Sequence, residues 1–134
     1  MSIKGKVILV TGGTSGIGEA CSRHFASLGA RVVIVSNQDD RGVALEKELR
    51  GTGHEVCFVF ADVSREESVQ AMVARAVERY GRIDGVHCNA GVWGKGKVTE
   101  FNEASWDKIM GVNVKSVLWT AKHVVPGMEA QAVS

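Results

Sequence analysis

Residues 7–18 read VILVTGGTSGIG, and the fold depends on how this stretch is parsed. Val7 to Val10 form an unbroken apolar run, which suits a strand covered on both faces inside a parallel sheet. Glycines follow at positions 12, 13, 16 and 18, and a helical pattern begins at once. Glycine tolerates positive φ and lets another backbone or a ligand approach closely. A strand passing through such a turn into a helix start directs free N–H groups and the positive end of the helix dipole at one point, where an anion is favoured. The expected guest is the pyrophosphate of a dinucleotide. A tight strand-to-helix connection without ligand is the plainer alternative. The spacing, Gly12-x-x-x-Gly16-x-Gly18, departs from the general G-x-G-x-x-G fingerprint.

Outward from this stretch, apolar runs of strand type start at Val7, Val32, Val56 and about Ile83, with one helix-patterned segment between each pair. The segments differ too much from one another for a repeat array. Regular strand–helix alternation predicts a doubly wound α/β fold with a parallel sheet and right-handed crossovers. A chain of 134 residues is one domain by size, residues 1–134, and long enough to bury a core.

The first helix is expected from about Gly16 to Leu28, with Ile17, Ala20, Cys21, Phe25 and Leu28 on its inner face and Gly29 as its stop. A strand follows at Arg31–Val35. Asp39 or Asp40 is expected to cap a helix carrying Ala44, Leu45 and Leu49, closed by Gly51 and Gly53. The third strand is expected over Glu55–Ala61. Ser64 and Glu67 have capping-box spacing, ahead of a clean helical stripe of Val69, Met72, Val73, Ala76, Val77 and Tyr80. The fourth strand is expected over Ile83–Cys88. A last helix is expected from near Asn102 to beyond Lys122, its apolar stripe being Trp106, Ile109, Met110, Val114 and Val117. Pro126 should bend or end it.

Composition narrows the function classes. Sixteen basic and fifteen acidic side chains leave a net charge of +1, so neither nucleic acid nor an anionic membrane is an expected partner. No uncharged run approaches the ~20 residues of a membrane helix. The start, MSIKGK, lacks the apolar core of a signal peptide, which makes the cytoplasm the expected compartment. Cys21, Cys57 and Cys88 are read as small buried hydrophobes in a reducing compartment. They do not cluster with His24, His54, His87 or His123, so no metal site is expected.

Ligands of open α/β sheets sit beyond the carboxyl ends of the strands. That makes the residues just after each strand informative: the glycine turn, then Ser36 and Asn37, then Asp62 and Val63, then Asn89, Ala90 and Gly91. TGGTSGIG at 11–18, ADV at 61–63, NAG at 89–91 and VNV at 112–114 stand in the order and at the spacing of the N-terminal half of the short-chain dehydrogenase/reductase family, which this chain resembles.

The resemblance implies a truncated Rossmann-like sheet of strand order 3-2-1-4 and a nicotinamide dinucleotide as cofactor. Gly12, Gly16 and Gly18 would form the pyrophosphate turn, with Thr14, Ser15 and Ile17 beside the cofactor. Asp62 would accept a hydrogen bond from the adenine amino group and Val63 would touch the ring; a carboxylate favoured by the helix dipole is a compatible, blander role for Asp62. Asn89, Ala90 and Gly91 would line the central ribose. Cys88 stands where the family often has a further asparagine.

Asn113 is the residue with a catalytic counterpart, holding a water on the proton-relay path to the active-site lysine. On spacing alone it is equally a core asparagine, which burial would oblige to find hydrogen bonds. Trp106 and Trp119 are expected in the core, whereas Trp93 is a candidate edge of a substrate pocket.

At the end of the second strand a carboxylate would favour NAD and an arginine NADP. Ser36 and Asn37 are neither. Ribose hydroxyls suit them better than an uncompensated phosphate, which leans the reading toward NAD, with Arg41 as the nearest opposing cation.

The family reaction is hydride transfer between a nicotinamide and an alcohol or carbonyl substrate. It uses a serine, a tyrosine and a lysine four residues after that tyrosine. Tyr80, the one tyrosine, is followed by GRID, so those three have no counterpart and the chain alone is expected to be inactive. A truncated oxidoreductase is the expected reading, with a stand-alone dinucleotide-binding module or an assembly fragment as the alternatives. The uncovered fourth strand and last helix predict self-association into a homo-oligomer.

Overall fold

The computed structural model describes residues 2–133. The apolar run at its centre forms β1 (Val7–Thr11), and Val7, Leu9 and Val10 are wholly buried. β2 (Arg31–Ser36) and β4 (Gly85–His87) pair with it on either side, and β3 (Val56–Phe60) lies beyond β2. All pairings are parallel, in the expected order β3-β2-β1-β4. Leu9 stands opposite Val33 on one side and Val86 on the other.

Alternation along the strands splits the core between two faces. Val10, Val32, Ile34 and Val56 pack with Ala26 of α1 (Gly16–Ser27) and Leu45 and Leu49 of α2 (Asp39–Gly51). Leu9, Val33, Val35 and Val59 pack with Val69, Met72 and Ala76 of α3 (Glu66–Tyr80). The sheet is therefore doubly wound.

Within this plan several local expectations are corrected. α1 turns its small residues inward: Gly18, Ser22 and Ala26 are buried, while Ile17 is 74% and Leu28 48% exposed. The helix lies too near the preceding turn for large side chains. Ser22 Oγ donates to the carbonyls of Gly18 at 2.9 Å and Gly13 at 3.3 Å, tying helix to turn.

In α2 the N-cap is Gln38, and Asp39 and Asp40 occupy the first turn, where the dipole favours them. Its inner face is Gly42, Leu45 and Leu49 rather than Ala44. A Cβ on Gly42 would come within 2.2 Å of the Phe58 ring. The Ser64–Glu67 capping box does not form. Arg65 is the N-cap of α3, Ser64 donates from N–H and Oγ to Asp62 Oδ1, and Glu67 pairs with Arg65. β4 is shorter than expected; Ile83 and Cys88 fall outside it, and Cys88 is exposed rather than buried.

The last helix is two. Asn102 caps α4 (Glu103–Met110), its side chain accepting from Ser105 N–H at 2.9 Å. A π turn over Gly111–Lys115 follows, and then α5 (Ser116–Val133), which runs on through Pro126 instead of ending there. A π turn spends one residue more than an α turn, displacing the downstream faces by roughly 100°. Ser116, Thr120 and Val124 consequently face the core, while Val114 and Val117 of the expected stripe are half exposed and Trp106 is 61% exposed. Trp119 does pack against the core.

Candidate cofactor-binding and active site

The first β–turn–α connection is built around two glycines with positive φ, Gly12 at 64° and Gly16 at 52°. L-residues adopt such values only with strain. Ser15 is the N-cap of α1 in extended geometry, and its side chain makes no cap bond. The first main-chain bond entering the helix runs from Glu19 N–H to Ser15 C=O at 3.1 Å. The amides of Gly16, Ile17 and Gly18 thus precede the helical ladder and point out of its positive end.

Gly18 lets helix and turn meet. A Cβ there would lie 2.0 Å from Gly12 O and 2.4 Å from Asn89 Nδ2. From the other side, the turn is braced by the segment after β4. Asn89 Nδ2 donates to the carbonyls of Thr11 at 3.2 Å and Gly12 at 3.1 Å. The Thr11 hydroxyl accepts from the N–H groups of both Asn89 and Ala90 at 3.1 Å.

Beyond the carboxyl ends of β1, β2 and β3 opens a cleft of about 310 Å³. Gly12, Thr14 and Ser15 form one wall, Ser36, Asn37 and Gln38 the second, Asp62 and Val63 the third, and Ala90 and Gly91 the fourth. Nine of the residues expected from sequence therefore meet at one opening. Gly16, Ile17 and Gly18 stand behind the turn at the helix start. Asn89 is directed to the turn's carbonyls and is not a wall of the cleft.

Polar groups around the opening are largely pre-set. Ser36 Oγ accepts from Thr14 Oγ1 at 2.8 Å and from Gln38 N–H at 3.0 Å, leaving its own proton free to donate. Asp62 Oδ1 accepts from Ser64 N–H at 3.0 Å and Ser64 Oγ at 2.6 Å. Its N–H donates to Ser68 Oγ at 2.9 Å. Arg41 reaches Gln38 Oε1 at 3.4 Å but lines a separate hollow with Arg23 and Glu48.

Asn113 lies on the π turn and is exposed, not buried within an apolar stripe. Its amide is engaged by main chain: Nδ2 donates to Val92 O and Oδ1 accepts from Val92 N–H, both at 2.7 Å. Tyr80 sits at the far end of α3 with its hydroxyl buried; burial and the neighbouring Cys57 push its pKa up to about 12. Nothing there resembles a poised acid or base.

A comparison with family models matches residues 6–133 to the short chain dehydrogenase family. The chain belongs to that family. Among curated relatives of the short chain dehydrogenase kind, it is 33% identical to an uncharacterized oxidoreductase of Listeria innocua over 98% of this chain and 53% of the relative. It is 38% identical to zerumbone synthase of Zingiber zerumbet, over 100% of this chain and 52% of that protein. The chain spans about half the length of the curated relatives it matches.

Among solved structures, a short chain dehydrogenase/reductase from Burkholderia phymatum in complex with NAD superposes with a TM-score of 0.94 at 34% identity, over 98% of this chain and 47% of the other. A metagenomic short-chain oxidoreductase in complex with NADP gives 0.90 at 33% identity, over 98% and 60%. A nicotinamide dinucleotide is thus the cofactor of structures sharing this fold, with both forms represented.

Gln38, Val92 and Val112 also wall the cleft and were not singled out from sequence. Each is a chain neighbour of a residue that was: Asn37, Gly91 and Asn113. The bracing by Thr11 and Asn89 had no separate sequence signal.

Proposed function

We propose that this chain supplies the dinucleotide-holding side of an oxidoreductase that transfers a hydride between a nicotinamide and an alcohol or ketone. The observation that carries this reading is the turn at Gly12–Gly18, whose Gly12, Thr14 and Ser15 line the cleft and whose amides at Gly16–Gly18 precede the helical ladder of α1. These amides hold the pyrophosphate. Asp62 keeps Oδ2 for the adenine amino group, because Oδ1 is already occupied by Ser64. Val63 lies against the adenine ring, and Ala90 and Gly91 beside the central ribose. A bound nicotinamide supplies or takes up the hydride. Asn113 orients the loop that faces it by clamping Val92 and is the chain's own contribution to the proton path.

NAD is favoured over NADP. Ser36 has a proton to donate to a ribose hydroxyl, and no cation stands among the cleft walls to meet a 2′-phosphate. Titrating both dinucleotides against protein fluorescence tests this; tighter binding of NADP refutes the preference, and binding of neither refutes the cofactor reading. With no Tyr-x-x-x-Lys in the sequence, the chain alone binds NAD without oxidising alcohols above background.

A homo-oligomer in the cytoplasm completes the reading. Supporting it are the half-buried edge strand β4 and the exposed Trp106, Val114 and Leu118, at 61%, 50% and 58%. A monodisperse monomer in light scattering refutes the association.

A further inference from the structure

A second cleft, of about 530 Å³, opens on the other side of the Gly91–Val92 segment, between the loop after β4 and α4. Gly91 and Val92 line both clefts, so the two adjoin along one stretch of main chain. Trp93, Phe101 and Ile109 supply apolar surface. Trp93 is 83% exposed, a large aromatic face turned mostly to water. Lys95 and Lys108 supply charge. Among the described residues, neither makes an ion pair with a carboxylate; Lys95 Nζ lies 5.9 Å from the Trp93 ring centroid. Glu100 also lines the cleft, but its Oε2 accepts from Lys97 N–H at 3.0 Å and serves to hold the loop.

We infer that this second cleft receives the substrate and selects a carbonyl or alcohol compound that carries an anionic group on an aromatic or alicyclic body. The apolar wall, and the positive charge that Lys95 and Lys108 keep in excess over the single carboxylate of Glu100, are complementary to such a molecule and to neither a neutral sugar nor a cation. The position next to the nucleotide cleft brings the bound compound to the nicotinamide, so the inference rests on the dinucleotide reading above.

The test compares benzoylformate with its uncharged methyl ester as calorimetric probes of the chain at low ionic strength. The acid binds about tenfold more tightly than the ester, the order expected of two exposed ion pairs acting together. The preference shrinks in high salt. The double variant Lys95→Gln/Lys108→Gln binds acid and ester alike, with unchanged NAD affinity and circular dichroism, while Trp93→Ala weakens both probes equally. Equal or tighter binding of the ester overturns the inference, as does a preference that survives in the double variant or a failure to bind either probe at millimolar concentration. A chain that prefers the acid yet binds neither NAD nor NADP overturns the cofactor reading instead.

Discussion

Asn113 and Val92 are joined in both directions, side-chain amide to peptide, each bond 2.7 Å long. One residue on a π turn thereby fixes the main chain that separates the two clefts. Asn113→Ala should remove both bonds and cost about 1–2 kcal/mol in chemical denaturation. Faster amide hydrogen exchange at Val92 is the specific readout. Asn113→Asp keeps the acceptor but loses the donor, so it should fall between the two.

Thr11 offers a near-isosteric test of the turn. Its hydroxyl accepts from the N–H groups of Asn89 and Ala90. Thr11→Val leaves both donors without an acceptor at a buried position, which should cost roughly 1–3 kcal/mol and weaken dinucleotide binding. Thr11→Ser should restore both. The urea midpoint and a NAD titration check the pair.

Gly18 cannot grow. A Cβ would sit 2.0 Å from the main-chain oxygen of Gly12, so Gly18→Ala must push α1 off the turn. A destabilisation of about 1–3 kcal/mol is expected, together with loss of NAD binding. Gly51, at the end of α2 with open space around it, is the control. Gly51→Ala should leave NAD binding intact and stability unchanged or slightly raised. Thermal melts of both variants decide the point.

Asp84 ties the start of the edge strand β4 to the start of β1. Oδ2 accepts from Val7 N–H at 2.9 Å, Oδ1 accepts from the Arg82 guanidinium, and Asp84 N–H donates to Val7 O. Burial works to raise its pKa, but the Val7 N–H and the Arg82 charge outweigh it and hold the carboxyl below its usual range. A group depressed in this way contributes stability that is complete above the ordinary carboxylate pKa of about 4 and is lost as pH falls through the lowered value. Asp84→Asn should therefore lose less stability than the parent between pH 5 and pH 3. An acid limb of unchanged steepness in the variant would contradict this.

The strand–helix alternation and the glycine turn are legible because both rest on short-range signals, an apolar run too long to alternate and then glycines where a helix begins; the strand order comes with the family resemblance. What was missed depends on distance in space. Ser22 reads as a polar interruption of α1, yet it is the residue that lies against the turn, since only a small side chain fits beneath Gly18. The stripe through Val114 and Val117 assumes an unbroken period of 3.6 residues. The π turn at Gly111–Lys115 breaks that period, and no local residue preference announces it; its stabilising bonds run from Asn113 to a loop 21 residues earlier in the chain. The bonds from the Asn89 amide to the carbonyls of Thr11 and Gly12 likewise join residues 77 and 78 positions apart, which no local pattern announces.

Gly91 and Val92 are a party wall. A nucleotide in one cleft and a substrate in the other would be coupled through that peptide, because the orientation that suits one sets the room left to the other. Whatever free energy the first arrival contributes to fixing the partition, the second need not supply, and thermodynamic reciprocity makes the benefit equal in either order. Asn113, holding the partition from behind, sets how large that mutual benefit can be.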